Sequence, residues 1–160
     1  MTSKEIIMKK EYLLTKVGVE ELQKEHDELV GQRGELAERI KTAREFGDLA
    51  ENAEYSAARQ DQERAEGRIS EIENILRNVK IISKPKGDSK VQVGSNVKLK
   101  SKKGDVKEFQ VVGTVEADPL NGRISDESPI GQALIGKKEG NEVNITTPSG
   151  TVTYEIVDIF

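Results

Sequence analysis

Arg44-Glu45-Phe46-Gly47-Asp48-Leu49-Ala50-Glu51-Asn52-Ala53-Glu54-Tyr55-Ser56-Ala57-Ala58 is the stretch on which the reading of this chain turns. Before it, Val19, Leu22, Leu29, Leu36, Ile40 and Ala43 recur at a/d heptad spacing, with His26 and Arg33 filling alternate seam positions. After it, Tyr55, Ala58, Gln62, Ala65, Ile69, Ile72, Leu76 and Val79 alternate steps of three and four. Both flanks are rich in Glu, Lys and Arg, as solvated helical faces are. Two seams joined by a short connection fold back on each other, because short connections make neighbours. The quoted stretch is then the tip of an antiparallel coiled-coil hairpin, with Gly47 breaking the helix. Each arm has about 28 residues, which at ~1.5 Å per residue gives a rod of about 40 Å.

Thr15 is the expected N-cap of the first arm, with Leu13 and Leu14 before it to dock the helix start. Gly31, Gly34 and Gly67 each cost about 1 kcal/mol relative to alanine. They come without prolines or turn clusters, so both arms are read as continuous.

The bulk composition fits a long solvated part beside a small core. Hydrophobic and charged residues each make up 34% of the 160 residues, and there is no Trp. With no Cys and a single His, His26, disulfides, thiolate chemistry and multi-histidine zinc sites are excluded. The net charge of −4 argues against broad electrostatic binding to nucleic acid. Residues 1–80 hold 14 Lys+Arg against 18 Asp+Glu, and residues 81–160 hold 11 of each, so the excess sits on the hairpin half. The run Ile6-Ile7-Met8 is too short for a signal peptide or membrane span, so a cytoplasmic protein without membrane partners is expected.

From Ile82 the pattern changes. Residues 1–82 are assigned to the hairpin, with its acidic tip near 46–54, residues 83–90 to a linker, and residues 91–160 to a small antiparallel β domain. Its strands are read at Val97–Leu99, Phe109–Val115, Gly122–Ser125, Val143–Thr146 and Val152–Val157, separated by glycine turns. Ser128-Pro129-Ile130-Gly131-Gln132-Ala133-Leu134-Ile135-Gly136 predicts one short helix, capped by Ser128 with Pro129 at its first position. The fold class is α+β.

At the tip, Asp48, Glu51 and Glu54 are spaced i, i+3, i+6. If the second helix starts at Asp48, then Asp48 as N-cap and Glu51 at the third position form a capping box. Alternatively, two carboxylates on a probe complete a metal centre that a partner mostly supplies, as in two-metal phosphodiester cleavage. Both readings stand on the residues alone, and one pair of side chains serving both is a further option. Arg44 and Arg59 lie close enough to the acids to hold a phosphate backbone, whereas Lys41 reads as an ordinary solvated position. Tyr55 is expected to pack across the seam, and Phe46 to pack on Leu49 or wedge into a partner. His26 and Arg33 are read as tolerated polar seam residues.

Ala43 to Arg59 closely resembles the tip motif of the bacterial Gre transcript-cleavage factors. Ser128 to Gly136, followed by Thr147-Pro148-Ser149-Gly150, resembles the signature of their FKBP-like carboxy-terminal domain. Leu14 to Gly18 with Glu21-Leu22 fits their helix start. The resemblance runs from about Leu13 to Ile159; the departures are an amino-terminal extension of about ten residues and the arm glycines Gly31 and Gly34.

The resemblance implies a cytoplasmic elongation factor, classed with DNA-binding transcription proteins, that enters the secondary channel of RNA polymerase. It is not itself an enzyme. Asp48 and Glu51 match the two functional acids, sharing a Mg²⁺ with the polymerase active site that the free protein does not hold tightly. Arg44 and Arg59 match basic positions that meet the nascent RNA 3′ end. Phe46, Gly47, Asn52, Glu54 and Tyr55 are read as structural at the tip. Ser128, Pro129, Ile130 and Leu134 are the candidate polymerase-docking residues, as exposed apolar positions. The aromatics Phe109, Tyr154 and Phe160 are too few for a prolyl isomerase pocket. The free protein is expected to be a monomer. The competing readings are a channel-binding inhibitor of the same architecture and a structural coiled-coil scaffold.

Overall fold

The computed structural model describes residues 10–47, 52–83 and 90–160. Asp48, Leu49, Ala50 and Glu51 of the tip, the core of the expected linker at 84–89 and the first nine residues lie outside the described residues. The order is strand β1 (Tyr12–Thr15), helices α1 (Lys16–Glu45) and α2 (Ala53–Arg77), and strand β2 (Val79–Ile82). Strands β3 (Asn96–Ser101), β4 (Val106–Val112) and β5 (Arg123–Ser125), helix α3 (Pro129–Leu134), and strands β6 (Glu142–Thr147) and β7 (Gly150–Ile159) follow. Contacts divide the chain into two compact units. One is Val19–Asn78; the other joins the described part of Met1–Gly18 to Val79–Phe160.

In the helical unit, the seam buries Leu22, Ile40 and Ala43 on α1 and Ala58, Ala65, Ile69, Ile72 and Ile75 on α2. Helix α2 ends at Arg77, and the Asn78 N–H bonds the Ile75 carbonyl. Val79, expected on the helical seam, instead opens β2. A four-residue segment with three apolar residues sustains either structure, and here Val79–Ile82 pairs in parallel with Tyr12–Thr15. Ile75 is buried and Leu76 only partly so, which shifts the end of the seam by one residue.

In the second unit, five strands pair in the order β5-β4-β3-β7-β6. The pairs are antiparallel except β4 with β5, which is parallel. Period-two alternation places Val97 and Leu99, Val143 and Ile145, and Tyr154 and Ile156 in one core with Leu134 of α3. Each fully buried Leu or Ile contributes about 1.5–3 kcal/mol relative to exposure. Strand β4 stops at Val112, short of the expected Val115: Gly113 lies against the Leu13 carbonyl of β1, and Thr114–Glu116 coil into a single 3-10 turn.

Thr15 caps α1 as expected: its hydroxyl accepts from the Gly18 N–H at 3.1 Å. Its hydroxyl and backbone N–H also donate to the two oxygens of Glu116, both at 2.6 Å. Glu116 is buried, so these bonds offset its lost hydration, and its charge sits at the positive end of α1. A Cβ at Gly18 would overlap the Glu116 carboxylate and push it off Thr15.

Ser128 caps α3 by accepting from the Gly131 N–H at 3.1 Å, and Pro129 occupies the first turn. One expectation fails here. Leu134 is completely buried and Ile130 packs partly against the core, so Leu134 offers nothing to a partner. A six-residue helix lying on a sheet turns its apolar positions inward; Pro129 is its exposed one.

The glycines separate into two kinds. A Cβ at Gly131 would overlap the Ser125 carbonyl, whereas nothing lies within 4 Å of one at Gly31 or Gly34. Gly131→Ala is expected to lower stability by about 1–3 kcal/mol. Gly31→Ala and Gly34→Ala are expected to raise that of the hairpin by up to about 1 kcal/mol each. Thermal melts followed by circular dichroism check both directions.

Candidate functional site

One side chain closes the described part of the hairpin tip. The Asn52 amide oxygen accepts from the Tyr55 N–H at 3.0 Å, which makes Asn52 the N-cap of α2. Its amide nitrogen donates at 2.6 Å to the carbonyl of Ala43 on α1, which also receives the Phe46 N–H at 3.3 Å. One carboxamide thereby satisfies an orphan donor at the start of one helix and adds a second, shorter bond to a carbonyl at the end of the other. An ionised Asp, which has no donor, could make only the first bond. Buried alanines, Ala43 and Ala58, are the small side chains that close helix approach needs.

This corrects the capping-box reading. Helix α2 begins at Ala53, after Asp48 and Glu51, so Asp48 is not its N-cap. The two acids fall between Glu45, the last residue of α1, and Asn52. The i, i+3 spacing imitates a capping box, but an Asn that bridges both helices outcompetes it.

Around the clasp, Arg39 donates to Glu54 at 2.8 Å and to Asp61 at 2.7 Å, tying α1 to the first turns of α2. The Glu54 and then the Asp61 carboxylate hold the Arg39 guanidinium firmly charged. Glu54 is thus an ion-pair partner. The Arg44 guanidinium lies 5.7 Å from the centre of the Tyr55 ring, a cation–π contact joining the arms. Tyr55 is half-buried, in keeping with its seam position. Arg59 bonds Gln62 at 3.1 Å and approaches Glu63 at 3.7 Å, both on its own helix. Phe46 is 80% exposed, and Gly47 has φ +127°, a turn that favours glycine. Asp48 and Glu51 belong to the segment outside the described residues.

Further from the tip, the polar seam residues have cross-hairpin partners. Arg33 grips Glu66 with two bonds of 2.7 and 2.8 Å, and Arg68 grips Glu25 with another two of the same lengths. His26 bonds its neighbour Asp27 at 3.2 Å and Glu73 of the other arm at 3.3 Å. Exposed pairs contribute little singly, about 0.2–1 kcal/mol, but together they fix the register of a narrow seam. Sequence reasoning missed Arg39 and the donor role of Asn52. Arg39 could be placed only once the arms pair: the register set by His26–Glu73 and Arg33–Glu66 puts it opposite Gln60, beside Asp61.

A clasped, ion-paired helical hairpin with a small sheet unit defines a two-unit α+β factor whose distinctive chemistry sits at the hairpin tip. Comparison with known proteins names the family. Residues 12–81 match the family described as transcription elongation factor, N-terminal, and residues 85–160 match transcription elongation factor, GreA/GreB, C-term. The chain is 47% identical over 154 residues to transcription elongation factor GreA of Clostridium acetobutylicum, covering 94% of this chain and 97% of that protein. It is 45% identical over 153 residues to GreA of Clostridioides difficile, covering 94% and 96%. Among solved structures, GreA factor homolog 1 (Gfh1) of Thermus thermophilus is 31% identical, with 94% and 99% covered and a TM-score of 0.44. The chain belongs to the GreA/GreB family of transcription elongation factors and is most like GreA.

Two outcomes test this geometry. Asn52→Ala is expected to destabilise the hairpin by about 1 kcal/mol for the lost cap and further for the lost bond to the Ala43 carbonyl, read as a lower melting point of the helical signal. Asn52→Asp keeps the cap but turns an acceptor toward that carbonyl, so it should not restore stability; wild-type stability in Asn52→Asp would remove the bridge from the account. The second concerns pH. Asp27 first and Glu73 second hold the His26 imidazole above its ordinary value. A raised value means that its stabilising contribution is fully present below about pH 6.5 and fades as pH rises through the folded-state value. An NMR titration should show His26 titrating high, and Glu73→Gln should lower it.

Proposed function

We propose that this protein stimulates RNA polymerase to cleave the 3′ end of backtracked nascent RNA, contributing charged tip residues to a catalytic centre that the polymerase owns. The observation that carries this reading is the clasped tip. Asn52, Arg39 and Tyr55 hold the ends of α1 and α2 together, and Asp48 and Glu51 fall in sequence between Glu45, the last residue of α1, and Asn52. Two carboxylates are hard oxygen donors that suit Mg²⁺, but too few to hold it without a partner. A Mg²⁺ shared with the polymerase would supply activation of the attacking water. Residues Asp48 and Glu51 act by binding and orientation.

Arg44 stands at the tip, supported on the Tyr55 face, where a guanidinium meets an RNA phosphate. Arg59, engaged with Gln62 and Glu63 about one turn along α2, is the weaker candidate for that contact. Helix α1, with 30 residues, is about 45 Å long, enough to carry a tip through a deep channel. In the sheet unit, Ser128, Pro129 and Ile130 remain candidates for polymerase docking. Pro129 is the exposed one. No helix among the described residues is long and apolar enough to cross a membrane.

The test uses the double variant Asp48→Ala, Glu51→Ala with purified polymerase stalled in a backtracked complex. The variant is expected to bind polymerase as the wild type does and to lose cleavage stimulation by about a hundredfold or more. Undiminished cleavage would contradict the reading. A wild-type protein that binds and slows elongation without promoting cleavage would point to an inhibitor instead.

A further inference from the structure

Phe46 is the exposed aromatic that the described tip leaves without an assigned use. It follows the last residue of α1, its ring is 80% exposed, and its backbone is fixed by the bond from its N–H to the Ala43 carbonyl. Gly47 then turns the chain with φ +127°. Around it, Arg44 lies on Tyr55, Asn52 bridges the helices and Glu54 pairs with Arg39. A large apolar ring in so polar a neighbourhood has a partner to meet.

The chemistry of that partner follows from size and charge. A single ring is far too small for a specific protein interface, which takes hundreds of Å² from each side. It is the right size to stack one nucleobase, a contact that tolerates every base because each has a π face. The Arg44 guanidinium two residues earlier supplies a cation, and aromatic rings interleaved with cations are how proteins hold single strands. Charge makes stacking more telling here. Residues 1–80 carry a net charge of −4 (14 Lys+Arg against 18 Asp+Glu), so this half repels RNA at long range and needs a contact that is not electrostatic.

We propose that Phe46 is a stacking platform for an unpaired base at the 3′ end of the extruded RNA, holding the strand beside the tip. This rests on the cleavage role proposed above. Phe46 acts by positioning the strand, with no bond made or broken by the ring.

The test uses the full-length protein, polymerase in a backtracked complex and RNA carrying 2-aminopurine at its 3′ end. Phe46→Ala and Phe46→Leu are compared with wild type, and Phe46→Tyr serves as the rescue. Because the ring is exposed, folding should be unaffected, and circular dichroism checks this. At saturating factor the expected result is cleavage slowed about tenfold or more in both Phe46→Ala and Phe46→Leu, with recovery in Phe46→Tyr. The wild type and Phe46→Tyr should lower 2-aminopurine fluorescence before cleavage, while the other two should not. If Phe46→Leu matches wild type, or fluorescence falls equally with Phe46→Ala, the inference is overturned and the cleavage role stands. If the wild type stimulates no cleavage, the functional reading fails and takes this inference with it.

Discussion

The Asn52 carboxamide meets a constraint that every helical hairpin faces. At a tip, one helix ends with unpaired carbonyls and the next begins with unpaired N–H groups, far from any core that could bury them. Asn52 gives its oxygen to the Tyr55 N–H and its nitrogen to the Ala43 carbonyl, so one residue answers both ends. The rest of the tip depends on this bridge. Ala43 and Ala58 are small and buried, Arg39 reaches across to Glu54 and Asp61, and Arg44 reaches Tyr55. Behind the clasp, the seam has few apolar residues per turn, and the Arg33–Glu66, Arg68–Glu25 and His26–Glu73 pairs set its register. A rod held mainly by register is cheap in core residues, which fits a chain with 34% charged residues.

The sheet unit solves a related problem at the start of α1. Thr15 caps the helix, and Glu116 takes both the Thr15 N–H and its hydroxyl proton. Gly18 leaves room for that carboxylate and Gly113 leaves room for the Leu13 carbonyl. Strands β1 and β2, which border the hairpin in sequence, therefore belong by their contacts to the sheet unit. A buried carboxylate with two short bonds at a helix start is specific in geometry as well as in energy: either oxygen left unpaired would carry a desolvation cost.

Much of this was legible in the chain. The heptad seams gave the two helices because apolar residues at steps of three and four have few other uses in so polar a segment. The β strands showed through alternation and glycine turns, and Ser128-Pro129 marked the start of α3. What stayed hidden depends on which groups meet across space. The Asp48–Glu51 spacing mimics a capping box, so it masked Asn52, whose second bond exists only when α1 has come alongside. Val79–Ile82 continues the apolar period of α2, and only pairing with Tyr12–Thr15 makes it a strand. Leu134 looked like an outward apolar residue because a six-residue helix is too short to reveal its buried face. Arg39 gains its role only when the register places Glu54 and Asp61 before it.

The central claim is that the hairpin tip works inside another protein's catalytic centre. A photo-crosslinking amino acid placed at Glu45, the exposed last residue of α1, tests it most directly in a backtracked polymerase complex with labelled RNA. A crosslink to the RNA 3′ end is expected, lost when the RNA is no longer backtracked. Crosslinks confined to polymerase surfaces away from the RNA, with the factor fully bound, would contradict it.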